Sequence, residues 1–159
     1  LRAAGIYGPF RGLHRRMLDR SYRIPGTGAN VVSRIHVTDL AMLALAALAG
    51  PDARRARGAA QAPLDGRAFV VADDTPVPQI EVLQWLAELL AVPLPPSAPI
   101  EEVSATLRHD RAVDNGAIKR ALGVALRYPS YREGFAACLA AEAISRPDSA
   151  AGPPGTPPG

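Results

Sequence analysis

The sequence predicts an α/β protein, and three observations carry that prediction. Apolar runs of strand length alternate along the chain with apolar stretches of helical period. Gly and Pro separate them at most boundaries. The apolar share is 48% over 159 residues, enough for a core and too high for a disordered chain. Strands separated by helices imply some parallel pairing.

Residues 1–7, Leu-Arg-Ala-Ala-Gly-Ile-Tyr, read as the tail of a strand that Gly8-Pro9 stops. Residues 11–23 read as a helix with Leu13, Met17 and Leu18 facing inward and Arg15, Arg16 and Arg20 on another face. Pro25-Gly26-Thr27-Gly28 is a turn, and residues 31–37 form a short extended segment. Thr38 is the expected N-cap of the next helix, with Asp39 in its first turn. Residues 40–48 are apolar almost all round, which predicts burial on most sides. Residues 51–66 show no period and read as a surface loop.

Residues 67–72 form a strand centred on Phe69, Val70 and Val71. Pro78 suits the start of a helix over 79–91, with Leu83, Leu86 and Leu90 inward and Trp85 beside them. The prolines of 93–99 exclude helix there. Residues 115–122 read as helical with Gly123 as cap, 126–128 as extended, and 131–144 as the last helix. The Pro/Gly-rich residues 145–159 read as a disordered tail, leaving 1–144 as the folded part. A lone parallel strand is unstable, so residues 1–6 are expected to need neighbours beyond this chain. The start at Leu1 rather than Met fits that expectation.

The formal charge is +3, and Lys119 is the only lysine. Aromatics are 5% and no nucleic-acid-binding module is present, so a nucleic-acid partner is not expected. A binder built on the arginines of 11–23 and 54–57 remains a weaker alternative, testable by oligonucleotide retention at physiological salt. The single cysteine, Cys138, excludes an internal disulfide framework and a cysteine-based zinc site. Its helical spacing to Phe135, Leu139 and Ala143 predicts a buried thiol. The longest apolar stretch, 40–49, is shorter than the roughly 20 residues that span a bilayer. No membrane partner and a reducing, cytoplasmic setting are expected.

Asp73-Asp74 resembles a paired acid site, but the following Thr75-Pro76 favours an Asx-type turn leading into a helix. His36 alternates with Ile35 and Val37 and is read as holding the next helix through a hydrogen bond, with pocket polarity as the alternative. No ligand spacing points to a metal.

Four stretches together resemble the second half of the extended short-chain dehydrogenases/reductases, the NAD-dependent epimerase/dehydratase group. They are Leu1-Arg2-Ala3-Ala4-Gly5-Ile6-Tyr7-Gly8-Pro9, Arg34-Ile35-His36-Val37-Thr38-Asp39-Leu40-Ala41, Phe69-Val70-Val71-Ala72-Asp73-Asp74-Thr75-Pro76, and Leu122-Gly123 followed by Tyr128-Pro129-Ser130-Tyr131-Arg132-Glu133-Gly134. They span about 135 residues and are closest to the bacterial sugar-nucleotide epimerase-like proteins. The resemblance implies the C-terminal portion of an extended Rossmann-type fold, comprising its last parallel strands and a small substrate-binding subdomain.

By that resemblance, Ala3 and Ala4 pass the nicotinamide of NAD or NADP in the intact parent, while Tyr7, Arg34, Arg111 and Arg132 face the substrate. Many nucleotide-sugar members carry the substrate arginine where Val32 stands and an asparagine where Gly5 stands. Arg34 shares a strand face with Val32, so it is the replacement candidate. The family's Gly-rich loop has no counterpart here, since Gly26-Thr27-Gly28 lacks a surrounding βα unit. Its Tyr-x-x-x-Lys motif fails too, because Asn115 stands where the tyrosine before Lys119 is required.

The expectation is therefore a segment with no catalytic residue of its own. Its partners would be a small-molecule substrate and the N-terminal half of the same protein. A non-catalytic Rossmann-type binding or scaffold module is the alternative.

Overall fold

The computed structural model describes residues 1–59, 64 and 66–143. The tail expected over 145–159, and part of the expected loop over 51–66, lie outside the described residues. The strands are β1 (Arg2–Ala3), β2 (Gly5–Tyr7), β3 (Ile24–Pro25), β4 (Val31–Val32), β5 (Arg34–His36), β6 (Val70–Val71), β7 (Val77–Pro78) and β8 (Ser97–Ala98). The helices are α1 (Leu13–Leu18), α2 (Val37–Leu48), α3 (Pro51–Ala56), α4 (Gln79–Leu90), α5 (Gly116–Leu122) and α6 (Tyr131–Ala141), with 3₁₀ turns at Ile100–Glu102 and Ala105–Leu107. The strands join as four pairs among the described residues: β1–β6, β2–β5 and β3–β8 are parallel, and β4–β7 is antiparallel. The α/β prediction with parallel pairing therefore holds.

Two hydrophobic cores flank β2 and β5. One gathers Val82, Leu83, Leu86 and Leu90 of α4 with Met17 of α1, Tyr22, and Phe135 and Leu139 of α6. The other gathers Ile35, Leu43, Phe69, Val71, Ile118 and Leu122. In a parallel pair, opposed residues share a face. The register Gly5↔Arg34, Ile6↔Ile35, Tyr7↔His36 therefore sends Ile35 into the second core and turns Tyr7, Arg34 and His36 toward the first. This alternation is what builds the site.

Several sequence expectations change. The N-cap of α2 is His36 rather than Thr38: its Nδ1 accepts the Thr38 amide at 3.2 Å, so β5 passes into the helix without the extra residue a Thr38 cap needs. The apolar α2 is not buried on most sides. Leu43 is buried, but Leu45 is 69% and Leu48 84% exposed, because only one face meets α5 and the sheet.

The expected loop after Gly50 begins as α3, which Pro51 starts and Asp52 supports from its first turn. The helix expected over 11–23 covers only α1, since Arg20 turns at φ +55° and sends Tyr22 into the core. Residues 126–128 form no strand; the Asp39 carboxylate binds the Arg127 and Tyr128 amides at 2.8 and 3.0 Å instead. The α4 stripe, the Gly123 cap at φ +63° and the buried Cys138 are as predicted. No described helix is long and apolar enough to cross a membrane.

Candidate substrate cleft

A cleft of ≈ 300 Å³ opens where the end of β2 meets α1, β5 and the start of α4. Tyr7, Arg34, Gln79, Tyr22, Arg16 and Phe135 line it. Arg34 is 4% exposed. Its Nη2 donates to Gln79 Oε1 at 3.5 Å, a long contact, and its Nη1 has no hydrogen-bond partner among the described residues. Burial lowers the Arg34 pKa, against the pull of Asp73 and the hydroxyls of Tyr7, Tyr131 and Tyr22. A guanidinium stays protonated even so, so a buried positive charge with an unused donor is part of the cleft lining.

Tyr7 is buried, its ring 4.4 Å from Phe135 and edge-on to His36 at 5.3 Å. Its hydroxyl also lacks a partner and is held protonated by burial first and Asp73 second. Asp73 follows β6 and is 1% exposed. Its Oδ1 accepts the Thr75 amide at 3.4 Å, the expected Asx-type turn, while Oδ2 is unpartnered. Burial pushes its carboxyl up to about 7, with Arg34 pulling the other way. Three unpaired polar atoms, Tyr7 Oη, Arg34 Nη1 and Asp73 Oδ2, thus sit on buried side chains that interact electrostatically. Buried polar groups are otherwise almost always paired.

The remaining sequence candidates lie elsewhere. Ala3 opposes Val71, and the Ala4 amide donates to Val71 O at 2.9 Å; the cleft begins one residue later, at Gly5. Arg111 is exposed, and its backbone bridges β4, donating to Val31 O at 2.8 Å. Leu107, not Arg111, is its segment's contribution to the cleft. Arg132 lies over the Tyr131 and Trp85 rings at 5.2 and 5.6 Å and does not line the cleft. The structure thus unites Tyr7 with Arg34 and leaves Arg111 and Arg132 apart. Gln79, Tyr22 and Arg16 escaped the sequence reading, which treated Gln79 only as a helix start. A polar residue in the first turn of a strongly apolar helix was the available signal.

His36 holds α2 rather than the cleft. With Nδ1 accepting from Thr38, Nε2 carries the proton and faces Cys138 Sγ at 3.6 Å. Burial lowers the His36 pKa, so the ring is neutral. Burial pushes the Cys138 thiol up to about 12, which removes it as a nucleophile. Lys119 pairs with Asp74 at 2.8 Å, and Asn115 Nδ2 donates to Asp74 Oδ1 at 2.7 Å and to Ala72 O at 2.6 Å. Those groups lock the β6 loop to α5. The described residues hold no cluster of metal-ligating side chains.

No protein-family model matches the chain, and no curated protein matches it. Solved structures do. A conserved protein of unknown function from Silicibacter pomeroyi is 36% identical, with a TM-score of 0.69 over 88% of this chain and 48% of its own. A Methylobacillus flagellatus protein assigned by name to the NAD-dependent epimerases/dehydratases is 26% identical, with a TM-score of 0.58 over 87% of this chain and 45% of its own. The UDP-glucose 4-epimerase of Thermotoga maritima, solved with UDP-glucose, shares the fold at 21% identity and a TM-score of 0.65, over 87% of this chain and 43% of its own. The chain spans less than half the length of each.

Proposed function

We propose that this chain, whose fold is that of the C-terminal half of the extended short-chain dehydrogenases/reductases, forms the substrate-side wall of an NAD(P)-dependent oxidoreductase or epimerase. The observation that carries this reading is the buried Arg34, which lines a small, largely apolar cleft and keeps an unpaired Nη1–H donor. A charge kept in so dry a place costs stability unless a ligand pairs with it. The substrate would be a sugar-nucleotide-like or other polar molecule. Arg34 fixes its negatively charged or carbonyl-bearing end, Tyr7 forms the floor, and Phe135 backs the ring of Tyr7.

Bound NAD or NADP would supply hydride transfer. Ala3 is exposed, Ala4 is half-buried, and neither carries more than a methyl group, so a flat ring fits against this strand. From there the strand continues directly into Gly5 and Tyr7 of the cleft wall. A side chain at Gly5 would meet only Ser33 O, at 3.6 Å, so nothing there is crowded. The acid/base tyrosine and lysine of the reaction, and the cradle for the cofactor's pyrophosphate, would come from sequence outside this chain.

The test compares the 159-residue chain with the longest in-frame product that contains it. The longer product should bind NAD or NADP and carry a Gly-rich loop and a Tyr-x-x-x-Lys motif upstream; the 159-residue chain should show no thermal shift with either cofactor. A longer product lacking both motifs, or equal cofactor binding by the short chain, refutes the proposal. Cofactor binding without redox turnover on any polar carbonyl or alcohol would favour the non-catalytic module.

A further inference from the structure

The donor left free on Arg34 is not an accident of its own rotamer. Gln79, the first residue of α4, is 3% exposed and bonds in two directions. Its Oε1 accepts from Arg34 Nη2 at 3.5 Å, and its Nε2–H donates to Tyr22 Oη at 2.8 Å. The reverse amide orientation would set Nε2 against Arg34, donor against donor, so the network fixes which atom is which. Tyr22 is itself held: it is 2% exposed, and the Arg16 guanidinium lies 4.7 Å from its ring centroid. The chain of contacts Arg16–Tyr22–Gln79–Arg34 therefore restrains one end of the Arg34 guanidinium and leaves the other unpaired.

The identity of residue 79 matters as much as its contacts. A carboxylate in the same place would accept from Arg34 as a charged pair, and Tyr22 could reverse its hydroxyl to donate to it. Both bonds would survive, but the positive charge would be spent inside the protein. The neutral amide restrains Arg34 without cancelling it. We propose that Gln79 is the positioning residue that reserves Arg34 for an oxyanion, a carboxylate or a phosphate group of the substrate, in the cleft that both residues line. This rests on the proposed role of Arg34 and adds the means by which its charge stays available. The charged and titratable groups around the pair are Asp73 after β6, Tyr7 on β2, Tyr131 on α6, and Arg16 on α1 beyond Tyr22.

The experiment titrates the protein with inorganic phosphate and, separately, with malonate, following amide chemical shifts of cleft residues. Gln79→Glu and Gln79→Met are compared with the parent, each with its Tm. Wild type should bind at least one of the two anions, and the stronger one identifies the substrate's charged group. Gln79→Glu should keep its Tm yet bind at least about tenfold more weakly, as expected when a buried charge is already paired. Gln79→Met loses both hydrogen bonds but not the charge, so its loss should be smaller, about two- to tenfold. A purely structural role would reverse that ranking. If wild type binds neither anion, the assignment of Arg34 falls, and this inference with it. If wild type binds and Gln79→Glu binds equally well, Gln79 has no such role, while Arg34 keeps its own.

Discussion

Gly134→Ala is the sharpest test of how the cleft is packed. The position is inside α6, where replacing glycine with alanine ordinarily stabilises a helix by about 1 kcal/mol. Here the added Cβ would fall on the Tyr7 hydroxyl oxygen and lie 2.7 Å from Cζ and 2.9 Å from Cε2. Tyr7 has no free retreat: Phe135 lies against one side of its ring and His36 meets it edge-on. Forcing extra volume into such a site costs about 1–3 kcal/mol, so overpacking cancels the propensity gain and leaves a net loss of up to about 2 kcal/mol.

In urea the midpoint should drop by up to about 1 M with an unchanged slope. Tyr7→Phe removes an oxygen that has no partner and should cost little by itself. Combined with Gly134→Ala it relieves the worst overlap, so the double variant should recover at least about half the loss, a coupling that independent sites do not show. If Gly134→Ala stabilises the protein, or the two changes add without coupling, the described packing of Tyr7 against α6 is wrong.

Asp39→Ala leaves the part-buried Arg127 and Tyr128 amides without an acceptor; it should destabilise by about 1–3 kcal/mol in the same assay, and an effect well below about 1 kcal/mol would mean those amides find water. Glu142→Ala strips a carboxylate that binds the Phe10 amide at 2.6 Å and His14 Nε2 at 2.7 Å; a loss of about 2–4 kcal/mol is expected, with the Arg15 contact at 3.2 Å contributing little because that side chain is 39% exposed. Asp73 contributes a pH dependence between about pH 4 and 7. Its folded pKa is raised from 3.8 to about 7, so the fold favours the protonated acid. Its own contribution to stability is then greatest below pH 4 and is lost as pH rises toward 7, with a slope of at most about 1.4 kcal/mol per pH unit. Asp73→Asn should flatten urea midpoints measured across that window; an unchanged slope would assign the dependence to another group.

What the sequence disclosed was mostly local. Leu83, Leu86 and Leu90 mark one face of α4 by spacing alone, and Gly123 marks the end of α5 because only a left-handed residue fits there. A side chain at Gly123 would also lie 2.5 Å from Arg57 O, so a tertiary contact reinforces the cap. Period-two alternation placed His36 opposite Ile35 correctly and brought Arg34 to the side of Tyr7. The misreadings share a cause in partners distant along the chain. Thr38 has the better capping side chain in isolation, but β5 runs straight into α2 and His36 is already in position. Arg111 and Arg132 are a different case and lie outside this cleft: the backbone of one bridges to β4, and the other lies over two aromatic rings from α4 and α6.

Unpaired buried polar atoms gather around Arg34. Elsewhere, many buried polar side chains are paired: Asp39 takes two amides, Glu142 takes the Phe10 amide with His14 and Arg15, and Asn115 spans Ala72 and Asp74, while His14 Nδ1 and Asn30 Oδ1 are single open atoms. Around Arg34 three such atoms stay open on side chains 1–4% exposed. A fold selected for stability alone would pair Arg34 with Asp73 or replace both by apolar groups, since a buried pair rarely outperforms a hydrophobic one. Keeping the charge, withholding the nearest carboxylate and restraining one guanidinium nitrogen with a neutral amide all act against stability and in favour of a ligand. That combination separates Arg34 from the exposed arginines of this arginine-rich chain.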